Sequence, residues 1–246
     1  MRTTQCNILA MRVFFIGAVM AVLGLAAPLY AQDAGVSPLE RLIDSDFRVR
    51  STITDCMVAS TVFGLARRYQ FLVGIEYPRS ECARLGSEQG RTDGELLNFR
   101  GMTVGDALNK LSALDPRYRW IESDGVVIVR PVAAWSDPKN VLNYQTESFV
   151  LKDATLGDAL NAIVAAITGS GREHPFSEST EQGARRFNVS TRATAGEALD
   201  AIVRAHGASY WVIREGQTDR EGRVFRSIFL HTFDGMGIGS GFPIPK

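Results

Sequence analysis

Thr103-Val-Gly-Asp-Ala-Leu-Asn-Lys-Leu111, Thr155-Leu-Gly-Asp-Ala-Leu-Asn-Ala-Ile163 and Thr194-Ala-Gly-Glu-Ala-Leu-Asp-Ala-Ile202 are three versions of one phrase. In each, the threonine is placed to cap a helix N-terminus, and the acid three residues on (Asp106, Asp158, Glu197) completes or approximates a capping box. A negative charge in the first turn also suits the helix dipole. Behind the cap runs an apolar stripe at helical spacing, in the first segment Val104, Ala107, Leu108, Leu111 and Leu114. The three acids recur where a cap requires them, and this reading displaces a catalytic one.

The flanks of these helices repeat as well. A short strand-like run precedes each: Leu96 to Arg100, Glu147 to Lys152, and Arg186 to Ser190. After the first helix, Tyr118 to Ile121 and Val126 to Arg130 are joined through Asp124-Gly125, a strong hairpin signal. After the third, Ser209 to Arg214 and Arg223 to Thr232 flank a polar turn from Glu215 to Gly222. A degenerate fourth copy lies upstream. Thr54 to Gln70 carries Met57, Val58, Val62, Leu65 and Ala66 on one helical face, with strands expected at Phe47 to Thr52 and at Phe71 to Glu76, the latter stopped by Pro78.

Corresponding second helices begin at Thr103 and Thr194, a shift too long for the unit of a solenoid. The pattern predicts an α+β fold of two tandem β-α-β–β-α-β-β modules, with helices packed on small mixed sheets. Module 1 spans 46–131 and module 2 spans 145–234, with a linker at 132–144. Residues 169–183 read as a polar insertion in the second module, and 235–246 as a Gly- and Pro-rich flexible tail.

The first 31 residues are of another kind. Arg2 and Arg12 are their only charges, Val13 to Leu29 is almost wholly apolar, and the run ends at Leu29-Tyr30-Ala31 before a polar stretch. This describes a secretory signal peptide at 1–31, cleaved after Ala31 or, as the alternative, after Ala34. The apolar run is shorter than the ~20 residues of a spanning helix, so no membrane span is expected once it is removed. Translation can begin at Met1 or Met11. The expected location is periplasmic or secreted. The mature chain keeps 25 basic and 27 acidic residues, a near-neutral balance that argues against nucleic acid as a partner. It also keeps two cysteines, Cys56 and Cys82. An even pair in an oxidising compartment is a disulfide candidate, and two separate thiols stay open because sequence gives no distance between them.

The run Val62-Phe-Gly-Leu-Ala-Arg-Arg-Tyr-Gln-Phe-Leu-Val-Gly-Ile75, then Leu97-Asn-Phe-Arg-Gly-Met-Thr-Val-Gly-Asp-Ala-Leu-Asn-Lys-Leu111 and Trp120 to Val129, resembles the secretin and TonB short N-terminal (STN) domain family. The likeness covers 46–131 well and 145–234 more loosely, since the second module lacks the Arg-Gly before its second helix. It implies a periplasmic domain that works by docking to other proteins. In that family the domain usually precedes an outer-membrane barrel or a secretin ring. The 14 residues after Thr232 are too few for a barrel, so a free-standing adaptor is expected.

Catalytic chemistry finds little footing. His174, His206 and His231 show no ligand spacing, and Cys56 and Cys82 have no second ligand nearby. No catalytic, cofactor-binding or metal residue is therefore expected, nor any cofactor. His206 before Gly207 reads as a helix C-terminus. Gly169-Ser-Gly171 and Gly239-Ser-Gly241 read as linkers rather than nucleophile turns. The Asn188-Val-Ser190 sequon means little on a strand. Tyr118, Trp120, Tyr210 and Trp211 are expected in the core, and Trp135, in the linker, between modules or against a partner.

These readings converge on an exported, non-enzymatic protein–protein adaptor of the cell envelope. Its expected partners are envelope proteins, outer-membrane channel or receptor components among them, met by strand addition or through the loops Pro78–Gly94 and Gly169–Gly183. The competing expectation is a binding module for an envelope polymer or small ligand in the groove between modules. Oligomeric state is left open.

Overall fold

The structure, a computed structural model, describes residues 37–44, 47–50, 55–78, 96–146, 148–168, 176–180, 185–218 and 224–233. The expected signal peptide with its cleavage at Ala31, Cys82, His174, both Gly-Ser linkers and the 235–246 tail lie outside these residues, as does the side chain of Cys56. So do both proposed contact loops apart from Pro78 and 176–180.

Five helices and ten strands alternate along the described chain. They are β1 (Arg48–Arg50), α1 (Asp55–Tyr69), β2 (Leu72–Pro78), β3 (Leu96–Asn98), α2 (Val104–Leu114), β4 (Tyr118–Ser123), β5 (Val126–Pro131) and α3 (Val132–Ser136). There follow β6 (Phe149–Ala154), α4 (Leu156–Thr168), β7 (Phe176–Thr180), β8 (Phe187–Thr191), α5 (Ala195–His206), β9 (Ser209–Thr218) and β10 (Val224–Thr232). The fold is α+β.

Local chemistry accounts for the ends of these elements. Thr103 Oγ1 accepts from Asp106 N at 3.0 Å, and Thr194 with Glu197 forms a complete capping box. Asp158 accepts from the backbone N–H and hydroxyl of Thr155, and these bonds hold its carboxyl below the usual value. Gly207, at φ 76°, ends α5 in the left-handed conformation that L side chains avoid. Asp124 (φ 49°) and Gly125 (φ 81°) close the β4–β5 hairpin with the paired positive φ angles of a type I′ turn.

Three sheets result. β1 pairs with β3 and β6 with β8, both antiparallel. The other six strands lie in the order β4-β5-β2-β9-β10-β7. The first three repeat in the last three: β4–β5 and β9–β10 are antiparallel hairpins, and β2 and β7 run parallel to the second strand of each. The join is direct, because β2 pairs parallel with β9. The described residues from Ser37 to Phe233 accordingly form one compact unit.

Each half places its helices on a different face of this shared sheet. One core gathers α1 and α2 over Val73, Ile75, Tyr77, Val127 and Val129, while the other gathers α4 and α5 over Val126, Ile128, Trp211, Ile213, Ile228 and Leu230. Strand direction inverts as well: β4 runs antiparallel to β2, whereas β9, which holds the position of β4 in the second half, runs parallel to it. The central strands are therefore covered on both faces.

Several elements depart from the sequence reading. β7 lies inside the 169–183 stretch read as an insertion; its run Phe-Ser-Glu-Ser-Thr lacks apolar alternation, and among the described strands it pairs only with β10 at the end of the sheet. The linker holds the helix α3 and a 3-10 turn at Val141–Asn143. That turn has a counterpart at Pro38–Glu40. Asn140 and Ser37 each accept from the backbone N–H two residues on, and the segments then bond to Ala195 and Val104 in the same way. The likeness between halves thus starts at Ser37 and Asn140, ahead of residues 46 and 145.

Candidate functional site

The groove expected between the modules is taken up by backbone pairing of β2 with β9. Gly74 stands opposite Trp211, and a Cβ built on it would overlap Cε2, Cζ2 and Nε1 of that indole. Here the missing side chain is what lets the strands approach. Trp211 is fully buried and its Nε1–H donates to Asp200 Oδ1 at 2.7 Å. Burial lifts the Asp200 carboxyl to about 7, opposed by the Trp211 hydrogen bond and by Arg204 and Arg130, with Glu197 adding to the rise.

A second polar cluster seals the same seam. Glu76, buried on β2, receives Arg130 Nε of β5 at 2.6 Å and the Asn140 side-chain amide. The guanidinium also donates to Asn143 Oδ1, Asn140 Oδ1 and the Ala134 carbonyl, each at 3.1 Å. Trp135 lies under both Arg130 and Arg119, 4.8 and 4.5 Å from its ring centre, and packs against the second core. Its place is at the base of the linker, locking α3 to β5. A buried ion pair with its lone pairs satisfied in this way specifies one arrangement of the surrounding segments.

The other expected core aromatics sit as follows. Tyr118 and Tyr210 are buried, and Trp120 is partly buried. Burial pushes the Tyr210 hydroxyl up, and its ring packs with Phe63, Phe233 and His231. Burial, then Arg214, lowers His231 to about 4, so it is neutral at ordinary pH. His206 closes α5 and packs edge-on against Phe187. Asn188 Oδ1 accepts from Asp153 N across the β6–β8 pair. Among the described residues, no three His, Cys, Asp or Glu side chains gather as metal ligands. Also among them, no helix is long and apolar enough to cross a membrane.

One end of the large sheet presents an exposed strand edge. β4 pairs with β5 on one side, and no described strand lies on its other side. Along it Arg119, Ile121 and Glu122 are exposed, while Trp120 Nε1–H reaches Asn109 Oδ1 on α2 at 3.2 Å. An edge strand presents backbone N–H and C=O groups to whatever can pair with them. The sequence carried the hairpin but not its place at the sheet's end, because strand order depends on pairings far apart in the chain. No family model, curated protein or solved structure matches this chain.

Proposed function

We propose that this is an exported, non-enzymatic cell-envelope protein that acts as a protein–protein adaptor by accepting a partner's extended segment on the β4 edge. The supporting observation is that edge: a strand of Tyr118–Ser123 paired on one side only among the described residues, at the end of a sheet whose central strands are covered on both faces. Strand addition supplies affinity through main-chain hydrogen bonds and specificity through alternate side chains. Four of the acids that could suggest catalysis are engaged elsewhere: Asp158 and Glu197 bond back to their capping threonines, and Glu76 and Asp200 are bonded within the seam. The likeness to the secretin and TonB short N-terminal family points the same way, towards components of outer-membrane channels or receptors.

The reading is tested by placing a photo-crosslinking residue at the exposed Glu122 of β4 and, as control, at the exposed Asn161 of α4. In an exporting cell, the β4 position should capture a defined envelope protein that the α4 position does not. Absence of any product at Glu122, or identical products from both positions, counts against an adaptor working through this edge.

A further inference from the structure

The open edge of β4 has a covered twin in the same chain, and the pair specifies what would cover it. At the shift that carries Thr103 onto Thr194, Asn109 corresponds to Asp200, Trp120 to Trp211 and Ile121 to Val212. The correspondence holds in the bonding, since both indoles donate to the matching helix residue. On β9 the neighbour is β2, running parallel with Gly74 opposite Trp211 and Ile75 opposite Val212. Under that neighbour Val212 is 3 % exposed and Trp211 0 %. On β4, Ile121 is 37 % exposed, Trp120 is only partly buried and Asn109 is open to solvent. The twin also states a steric rule: the strand facing this indole carries no side chain at the facing position.

We infer that the β4 edge is a docking site for one extended segment of another protein, parallel to β4, with glycine opposite Trp120 and an aliphatic residue opposite Ile121. This rests on the strand-addition reading and adds the sequence its partner must carry. The far end of the sheet does not carry this sequence. At the other end of the sheet Glu178 takes the place that Gly74 has in β2: Gly74 pairs with Ile128 of β5, and Glu178 with the corresponding Phe229 of β10. The glycine rule is therefore not met by β7.

The test uses a synthetic peptide with the sequence of residues 70–78, Gln-Phe-Leu-Val-Gly-Ile-Glu-Tyr-Pro, and a version with valine in place of its glycine. Each is added to the full chain, and hydrogen exchange and affinity are measured. The glycine peptide should slow exchange across 118–123. The valine peptide should bind about ten-fold or more weakly through overpacking, a loss of about 1.4 kcal/mol or more. Trp120→Val in the chain should erase that preference, and Ile121→Lys, at an exposed position that leaves folding intact, should weaken both peptides. Equal binding of the two peptides at β4 would overturn the glycine rule while leaving strand addition standing. Failure of the glycine peptide to bind, protection of β7 instead, or loss of protection in β9 through displacement of β2 would also overturn the inference. So would self-association of the chain that Ile121→Lys abolishes, since the occupant would then be a second copy. Strand addition itself is judged separately, by the crosslink at Glu122.

Discussion

Gly74→Ala adds one methyl group where the indole of Trp211 already stands. The new Cβ would approach three indole atoms closer than 3.0 Å, a separation that real Cβ atoms essentially never show. Trp211 has little room to yield: it is fully buried, and its Nε1–H is tied to Asp200. Overpacking of this kind costs roughly 1–3 kcal/mol, and a site held at both ends belongs near the top of that range. If the ring rotates away, Asp200 loses its donor inside the protein, a further ~1–3 kcal/mol. Alanine's lower cost of ordering in a strand returns about 0.5–1 kcal/mol. The expected net loss is about 3–4 kcal/mol. In a chain of this length each kcal/mol moves Tm by roughly 2–4 °C, so Tm should fall by about 10 °C. Thermal unfolding followed by circular dichroism measures it, with Trp211→Phe as partner in a double-mutant cycle, because the smaller ring should recover part of the loss. A Gly74→Ala protein melting within about 2 °C of the parent would refute the close fit at the seam.

Three further outcomes follow from the same seam and its flanks. Arg130→Met leaves Glu76 buried without its ion pair and should cost about 3–5 kcal/mol in urea unfolding; a loss under about 1 kcal/mol would show the network to be slack. Asp200, lifted to about 7, keeps in the folded chain a proton that the unfolded chain releases above about pH 4. Stability should therefore decline as pH rises from about 4 to about 7 and then level off. Asp200→Asn, still an acceptor for the indole, should flatten that decline and be the more stable form at about pH 8; urea midpoints across this range decide it, an unchanged slope telling against the assignment. Thr194→Ala removes the capping box of α5 and should cost about 1 kcal/mol, read as a Tm drop of roughly 2–4 °C.

The helices and hairpins were legible because their signals are local. A threonine cap, an acid three residues on and an apolar stripe mark α2, α4 and α5, and Asp124-Gly125 marks the turn between β4 and β5. The join between halves was not legible, since nothing adjacent to Gly74 announces Trp211 across the sheet. Val126 to Val129 is an unbroken apolar run, and such runs belong to strands buried on both faces, whereas small sheets with one wet face alternate. Taken at full weight, it would have put helices on both sides of β5. Nothing local marks Glu76 and Arg130 as partners, because their pairing spans two strands distant in sequence. For the β4 edge, the repeated tryptophan was visible but the unequal cover over its two copies was not.

The inversion of strand direction and helix face between the halves also bears on stoichiometry. A half-turn about the line across the strands, combined with a step along it, carries the first half towards the second; such an operation never returns to its start, and repeated between chains it builds filaments rather than closed rings. On the strand-addition proposal the large sheet has its receiving end at β4, while at the other end Glu178 stands at the position that is glycine in β2. The proposal therefore carries a stoichiometry: complexes formed at β4 should contain one partner per copy of the chain.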